Sequence, residues 1–364
     1  MARSLRVTID NLPKVKLALQ RNGYPSQKTF AADIGPSLST VKNFLGGKPI
    51  DYENFREICD QLGLDWQAIA YTESPSALDA PSVALEASPF ITGAPIHHPR
   101  HFFGRERQLK RCFALLKHHP LQNMAIMAPR RSGKTSFLRY LATITTTAAD
   151  QLRPHQKQNW LPRPELYNWI FVDFQDARMS SQDKLLGHLL SALRLPVPDA
   201  LDLDGFMDRV SGAVHQPTVI LLDEIGVGLQ RCPELDDAFW ESLRSLATNQ
   251  TAGNLAFVIS APETPMELAQ NGGFSSPFFN IFGYSTTLAP WQQQDTLELM
   301  ASSPIPFTDA DQAWICQQSG GWPFLAQILC SERLFALEND ETGTAWQAEG
   351  LKQIEPYRYL LDQT

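Results

Sequence analysis

The sequence predicts an α/β fold: a parallel sheet with helices on both faces, followed by a helical lid and preceded by a small all-α domain. Three observations predict it. Short apolar runs alternate with helical patterns over residues 101–290. One run, Thr218-Val219-Ile220-Leu221-Leu222, is apolar or β-branched at every position, as a strand buried on both faces must be. Another, 123–127, breaks into a Gly-containing loop that opens directly into a helical pattern. Alternation of this kind builds parallel sheets.

The chain has 364 residues, 43% of them apolar, enough for two or three domains with sizeable cores. Within 1–70, helices are expected over 12–20, ending before Asn22-Gly23, and from a Ser26 cap to residue 33 or 34. Gly35 supplies a turn. A further helix runs over 37–45, closed by Gly46-Gly47, and another over 52–61 with Phe55, Ile58, Cys59 and Leu62 at helical spacing. Residues 71–100 contain Pro75, Pro81, Pro89, Pro95 and Pro99 among small and polar residues, the composition of a linker. Beyond it, strands are expected at 123–127, 169–174, 219–222, 255–260 and 284–288, with helices at 134–142, 182–193, 205–214 and 235–247. Residues 145–164 read as a long surface loop. After Pro290 the pattern is helical to the end (291–364), at 293–301, 310–318 and 323–337.

Charge and cysteine content narrow the setting. The net charge is −8, which argues against a basic coat. Residues 1–70 hold nine Lys/Arg against seven Asp/Glu, and the remainder 22 against 32, so any nucleic-acid contact is expected in the N-terminal segment. Five cysteines, scattered and odd in number, suggest reduced thiols. Residues 1–16 lack an apolar signal-peptide core, and no stretch approaches the ~18 apolar residues of a membrane helix. A soluble cytoplasmic protein without a membrane partner is expected.

The loop is Ala128-Pro129-Arg130-Arg131-Ser132-Gly133-Lys134-Thr135, with Ser136 following in the helix. Strand, loop and helix in this order form a phosphate cradle. Backbone N–H groups and the helix N-terminus face the anion, Lys134 reaches the β- and γ-phosphates, and the Thr135 hydroxyl can ligate Mg2+. Ala128 stands where the motif usually has Gly, which is tolerable if that residue has negative φ. The ligands so implied are ATP or ADP with Mg2+. At the end of the 219–222 strand, Asp223 is placed to hold the metal and Glu224 to polarise an attacking water. Taken alone, Asp223 could instead cap a helix, and Asp173 and Gln175 could lie near the site or merely cap.

Two resemblances follow from these residues. Gln27, Phe30, Ala31, Gly35, Ser39-Thr40-Val41, Leu45, Gly47, Phe55, Ile58 and Leu62 resemble the Cro/lambda-repressor-like helix-turn-helix over about 60 residues. This implies a recognition helix at 37–45, with Ser39, Thr40, Lys42 and Asn43 toward a major groove and Gln27, Lys28 and Lys48 on phosphates. The alternative is a helical bundle that docks another protein or the ATPase core. With a net of +2, a single copy would bind DNA weakly.

Residues 100–330 resemble the STAND class of P-loop ATPases, relatives of the origin-recognition and AAA+ enzymes. Four motifs occur in order: Phe102-Phe103-Gly104-Arg105-Glu106, the loop 128–135, the acidic strand end 219–224, and Gly321-Trp322-Pro323. The resemblance implies that Phe103, Gly104, Arg105 and Pro323 lie near the base and that Ser260 senses the γ-phosphate. Gly104 would turn Phe102 and Phe103 onto the base, and Arg105 and Glu106 would form an ion pair fixing that turn. Read singly, Phe102/Phe103 could be core packing and Pro323 only a helix start.

Residues 245–332 contain no Lys or Arg. A finger arginine can supply about 10³–10⁵ in turnover, so slow hydrolysis is expected, as befits a switch. Arg130 and Arg131 could partly compensate or act on a neighbouring subunit. Only 41 residues follow Pro323, too few for the class's usual sensor repeats. A minimal protein, a fragment, or one part of a two-chain system with a separate sensor is implied. The function expected is a regulatory switch ATPase, forming nucleotide-dependent homo-oligomers. Alternatives are a DNA-associated helper ATPase of the loading or transposition type, and an interaction module with a structural nucleotide.

Overall fold

In a computed structural model, residues 4–8, 11–22, 24, 26–34, 36–48, 50–64, 66–71 and 88–363 are described. They fall into two units, Met1–Ala87 and Ser88–Thr364.

The first unit runs β1 (Ser4–Val7), α1 (Leu12–Arg21), α2 (Gln27–Ile34), α3 (Leu38–Leu45), β2 (Ile50–Asp51), α4 (Tyr52–Leu62), α5 (Trp66–Ile69) and β3 (Ala70–Tyr71). Local chemistry sets the helix starts. The Ser26 hydroxyl accepts from the Thr29 N–H, and the Ser37 hydroxyl from the Thr40 N–H, each at 3.1 Å. Phe30, Val41, Phe44, Phe55 and Ile58 are fully buried between the helices. The turn residues Gly23 and Gly35 lie outside the described residues. The unit is not all-α as expected: β1 pairs antiparallel with both β2 and β3. Leu5 and Val7 point inward from β1, but a four-residue alternation paired to two-residue partners is too brief to stand out beside helical periodicity.

The second unit begins at Ser88, inside the segment expected as linker; residues 72–87 of that segment lie outside the described residues. It runs α6 (Glu106–Leu116), β4 (Met124–Met127), α7 (Lys134–Thr143), β5 (Asn168–Asp173), α8 (Gln182–Ala192), α9 (Leu203–Ala213), β6 (Thr218–Asp223), α10 (Ile225–Arg231), α11 (Asp237–Ser245), β7 (Leu255–Ala261), α12 (Pro265–Gly272) and β8 (Tyr284–Thr287). Four helices follow: α13 (Gln293–Met300), α14 (Asp309–Ser319), α15 (Pro323–Glu338) and α16 (Ala345–Ile354).

Five strands form one parallel sheet in the order β5-β6-β7-β4-β8. Successive side chains on a strand point to opposite faces, and the sheet divides accordingly. Met124, Ile126, Val219, Leu221, Ala256 and Val258 pack under α6, α7 and the 144–163 loop. Ala125, Ile220, Leu222, Leu255, Phe257 and Ile259 pack under α8–α12. Every residue of β6 and β7 is buried, which explains their unbroken apolar sequences. A third core, with Phe90, Phe307, Ile315, Trp322, Leu325 and Leu329, belongs to the lid helices α13–α16. Phe90 draws the segment after Ser88 into that core. No helix among the described residues is long and apolar enough to cross a membrane, and Cys112, Cys232, Cys316 and Cys330 are free thiols.

Candidate nucleotide site

The site forms where β4, β6 and β7 end. After Met127 the Ala128 N–H donates to the Ala261 carbonyl at 3.1 Å, carrying the sheet pairing one residue into the loop. The loop then curls through two left-handed residues, Arg131 (φ 65) and Gly133 (φ 96). Gly133 is the position that needs a glycine, because an L side chain at that φ is strained. Ala128 is not among the left-handed residues, so its Cβ is tolerated.

Lys134 opens α7 and is almost wholly buried. Its Nζ donates to the Ala128 carbonyl at 3.0 Å and the Pro129 carbonyl at 3.2 Å, and pairs with Glu224 Oε1 at 3.2 Å. Thr135 Oγ1 donates to Asp223 Oδ2 at 2.7 Å, and Ser260 Oγ donates to Asp223 Oδ1. The Glu224 N–H donates to Ser260 Oγ at 3.1 Å. Strand order explains this convergence: β7 lies between β4 and β6, so Ser260 falls between the loop and the acidic pair. Burial pushes the Asp223 carboxyl up. The Ser260 and Thr135 hydroxyls oppose that shift, and the charges of Glu224 and Asp173 add to it. Glu224 itself is left-handed (φ 53) at the head of α10, turning its side chain back toward Lys134.

Above this network lies a cleft of about 730 Å³, within the range of small-molecule sites. Arg130, Arg131, Gly133, Lys134, Thr135, Ser136 and Glu224 line its floor, and Pro323 its far wall. Ala128, Pro129 and Ser132 shape the loop from behind; the Ser132 hydroxyl donates to the Pro129 carbonyl at 2.8 Å. Asp223 and Ser260 sit beneath.

The residues Phe103, Gly104 and Arg105 do not line this cleft. Phe102 stacks on Tyr140 with ring centroids 4.4 Å apart, inside the sheet core. Phe103 lies in the lid core beneath Arg153, whose guanidinium is 3.9 Å from the ring centre. Gly104 (φ 67) faces Trp291 and Asp295, where a Cβ would come within 2.8 Å of Trp291 Nε1. Arg105 donates to the Ala289 carbonyl rather than pairing with Glu106. Burial lowers its pKa to about 10, and Asp295 opposes the shift. The turn therefore joins core to lid, with Phe102 in the sheet core and Phe103 in the lid core.

Several lining residues escaped the sequence reading. Ile91, Thr92, Ala94, Pro95 and Ile96 form one wall, and Val227, Arg231, Phe324 and Gln327 complete the cleft. Two hydrogen bonds fix that wall. The Ile96 N–H donates to Ser136 Oγ and the Ile91 N–H to Gln327 Oε1, both at 2.9 Å. The one available signal was Phe90-Ile91, an apolar pair out of place in a linker.

No protein-family model matches the sequence, and no curated protein matches it. Solved structures do. A Walker-type ATPase of Pyrococcus abyssi superposes with a TM-score of 0.53 at 13% identity, over 72% of this chain and 75% of that chain. The ORC2 protein of Aeropyrum pernix, in ADPNP and ADP complexes, gives 0.52 at 13% identity, over 73% and 71%. The second unit shares the fold of these two proteins.

Thr135 and Asp223 together offer hard oxygen donors suited to Mg2+. Among the described residues no group of three or more His, Cys, Asp or Glu could hold a metal alone. A donor pair of this kind fits an ion that completes its shell with phosphate and water.

Of the residues expected to contact DNA, Gln27, Lys28, Ser39 and Lys42 are exposed on the first unit, while Thr40 and Asn43 are half-buried. The Ser37 hydroxyl lies 2.7 Å from that of Ser39 and 2.8 Å from that of Thr40, tying both to the start of α3.

Proposed function

We propose that the chain binds ATP with Mg2+ in the cleft and hydrolyses it slowly, as a STAND-like regulatory switch. The observation that carries this is the single network joining Lys134, Glu224, Ser260, Asp223 and Thr135. A triphosphate offers Lys134 a more highly charged partner than Glu224. Its arrival draws the ammonium onto the β- and γ-oxygens and frees Glu224. The carboxylate then accepts a proton from water as the water oxygen attacks the γ-phosphorus and the bond to the β,γ-bridging oxygen breaks. Thr135 and Asp223 would hold Mg2+, which offsets charge on the phosphates when bound. Ser260 fixes the Asp223 carboxylate and would sense the γ-phosphate.

Slow turnover is supported by the span 245–332, which has no Lys or Arg, and by Arg131, whose guanidinium lies over the Phe324 ring at 5.0 Å. The Arg130 backbone carbonyl accepts from the Tyr359 hydroxyl at 3.4 Å, and the Arg130 and Arg231 side chains also line the cleft. Because Pro323 and Phe324 begin α15, a nucleotide seated against them moves the lid, and altered assembly is the output. The exposed Gln27, Lys28, Ser39 and Lys42 provide a second, weak output onto DNA through a helix-turn-helix.

The test is nucleotide analysis of the purified protein, its mass by light scattering with ADP and with ATP, and calorimetric titration with Mg-ATP. Nucleotide-dependent assembly with turnover well below one per second supports the switch. Absence of Mg-nucleotide binding rejects it. Turnover stimulated many-fold by DNA would favour the helper-ATPase reading instead.

A further inference from the structure

Charge in the second unit is sharply polarised. Residues 97–163 carry thirteen Lys/Arg against two Asp/Glu, a net of +11. Residues 164–364 carry nine against twenty-seven, a net of −18. Structure turns this sequence asymmetry into a spatial one. The basic segment supplies α6, α7 and the 144–163 loop, which cover one face of the sheet. The opposite face is covered by α8–α12, and residues 174–283, which contain them, carry six Lys/Arg against fourteen Asp/Glu.

The basic face holds an ordered stripe. Arg107, Lys110, Arg111 and Lys117 are all exposed and fall within about 120° of arc on α6, opposite its buried Leu109, Phe113 and Leu116. Lys157 and Arg163 extend the stripe from the adjoining loop. That loop is anchored to α6: Trp160 stacks on Phe113 at 5.2 Å, and the Tyr167 hydroxyl donates to the Leu116 carbonyl at 2.7 Å. None of the six cations pairs with a carboxylate among the described residues. None lines the nucleotide cleft.

From this arrangement we infer that α6 and the 144–163 loop form a binding surface for the phosphate backbone of duplex DNA. The stripe on α6 is about 15 Å long at 1.5 Å per residue. That spans about four phosphates at 3.4 Å per strand. Contacts of this type fix position and carry no base sequence. The face favours a duplex over a single strand, since single-strand sites stack bases on exposed aromatics. Here Phe113 and Trp160 are buried against each other, and Arg111 lies over Tyr284 at 5.4 Å. A second copy offering its acidic face is the competing occupant, but those carboxylates are scattered over four helices and the loops between them, whereas the cations form a line. The surface is independent of whether the cleft hydrolyses ATP.

The experiment is fluorescence anisotropy of the full chain with a labelled duplex of arbitrary sequence, across a salt series. Six phosphate contacts give a log–log salt slope of about −5 and a loss of about 10³ in affinity between 50 and 200 mM salt. The variant R107Q/K110Q/R111Q/K117Q should weaken binding at least 10-fold at low salt and flatten the slope by about 3 to 4. Its melting temperature and ATP affinity should match the parent. K157Q/R163Q, on the loop, provides a second reading and should flatten the slope by about 2. Unchanged slopes in both variants overturn the inference. So does loss of binding only in K28Q/K42Q, or a duplex that does not bind while the α6 variant turns an oligomer into a monomer.

Discussion

Two turns of this protein look alike in sequence and do different work. Ala128–Thr135 and Phe102–Arg105 each carry both a glycine and an arginine at positive φ. The first lines a cleft and has its groups aimed at open space: a Cβ on Gly133 would meet nothing within 4 Å. The second is packed solid, with Gly104 against Trp291 and Asp295. A glycine motif thus specifies a backbone shape, and what that shape serves depends on whether packing fills or spares the space beside it.

If this division is right, changes at the cleft move nucleotide readouts and changes at the packed 102–105 turn move stability. The largest effect belongs to Glu224→Gln, which should lower turnover about 10²–10⁴-fold, the usual worth of a positioned base, with ATP affinity retained in calorimetry. Comparable turnover in the variant would remove Glu224 from the chemistry. Lys134→Ala should weaken ATP binding about 100-fold, as expected for loss of nearly 3 kcal/mol of charged contact. An unchanged affinity would mean that the nucleotide sits elsewhere.

Gly104→Ala tests the other side. It combines backbone strain with overpacking, about 2 kcal/mol together, and should lower Tm by roughly 4–8 °C for a domain of this size. Its ATP affinity should be unaltered. An affinity loss without a Tm change would return the turn to the nucleotide. Asp223→Asn gives the smallest effect on stability. The folded protein holds the Asp223 proton more tightly than the ordinary carboxylate value of 3.8. Above 3.8 and up to the raised folded pKa, stability therefore increases as pH falls. Removing the buried charge should raise Tm by about 2–4 °C near neutral pH, the worth of ~1 kcal/mol, and flatten that pH dependence while Mg-ATP turnover is lost. A lower Tm would show that the two hydroxyl hydrogen bonds outweigh burial.

The meeting of the loop with the acidic pair was legible because both lie in short contiguous patterns. The run 128–135 and the pair Asp223-Glu224 each announce a local geometry, and the unbroken β6 and β7 sequences announce a sheet buried on both faces. The wall formed by Ile91–Ile96 was not legible, since its place depends on the Ile91–Gln327 hydrogen bond, which joins residues 236 apart in sequence. Phe102 and Phe103 misled for a related reason: adjacent rings can enter two different cores, and only tertiary packing assigns them. The basic face was hidden by averaging. Dividing the chain at residue 70 placed +11 and −18 in one sum, so nucleic-acid contact was expected only in the N-terminal segment. The β1 strand, at four residues, offered too little pattern to detect.

The hydroxyl of Tyr359 touches the backbone of Arg130, so the last turn of the chain and the phosphate loop are mechanically in register. A tag or fluorophore attached near residue 359 would not be a bystander: it would perturb the nucleotide equilibrium it was meant to observe. Handled deliberately, the same coupling makes that tyrosine a natural place for an optical probe of loop occupancy.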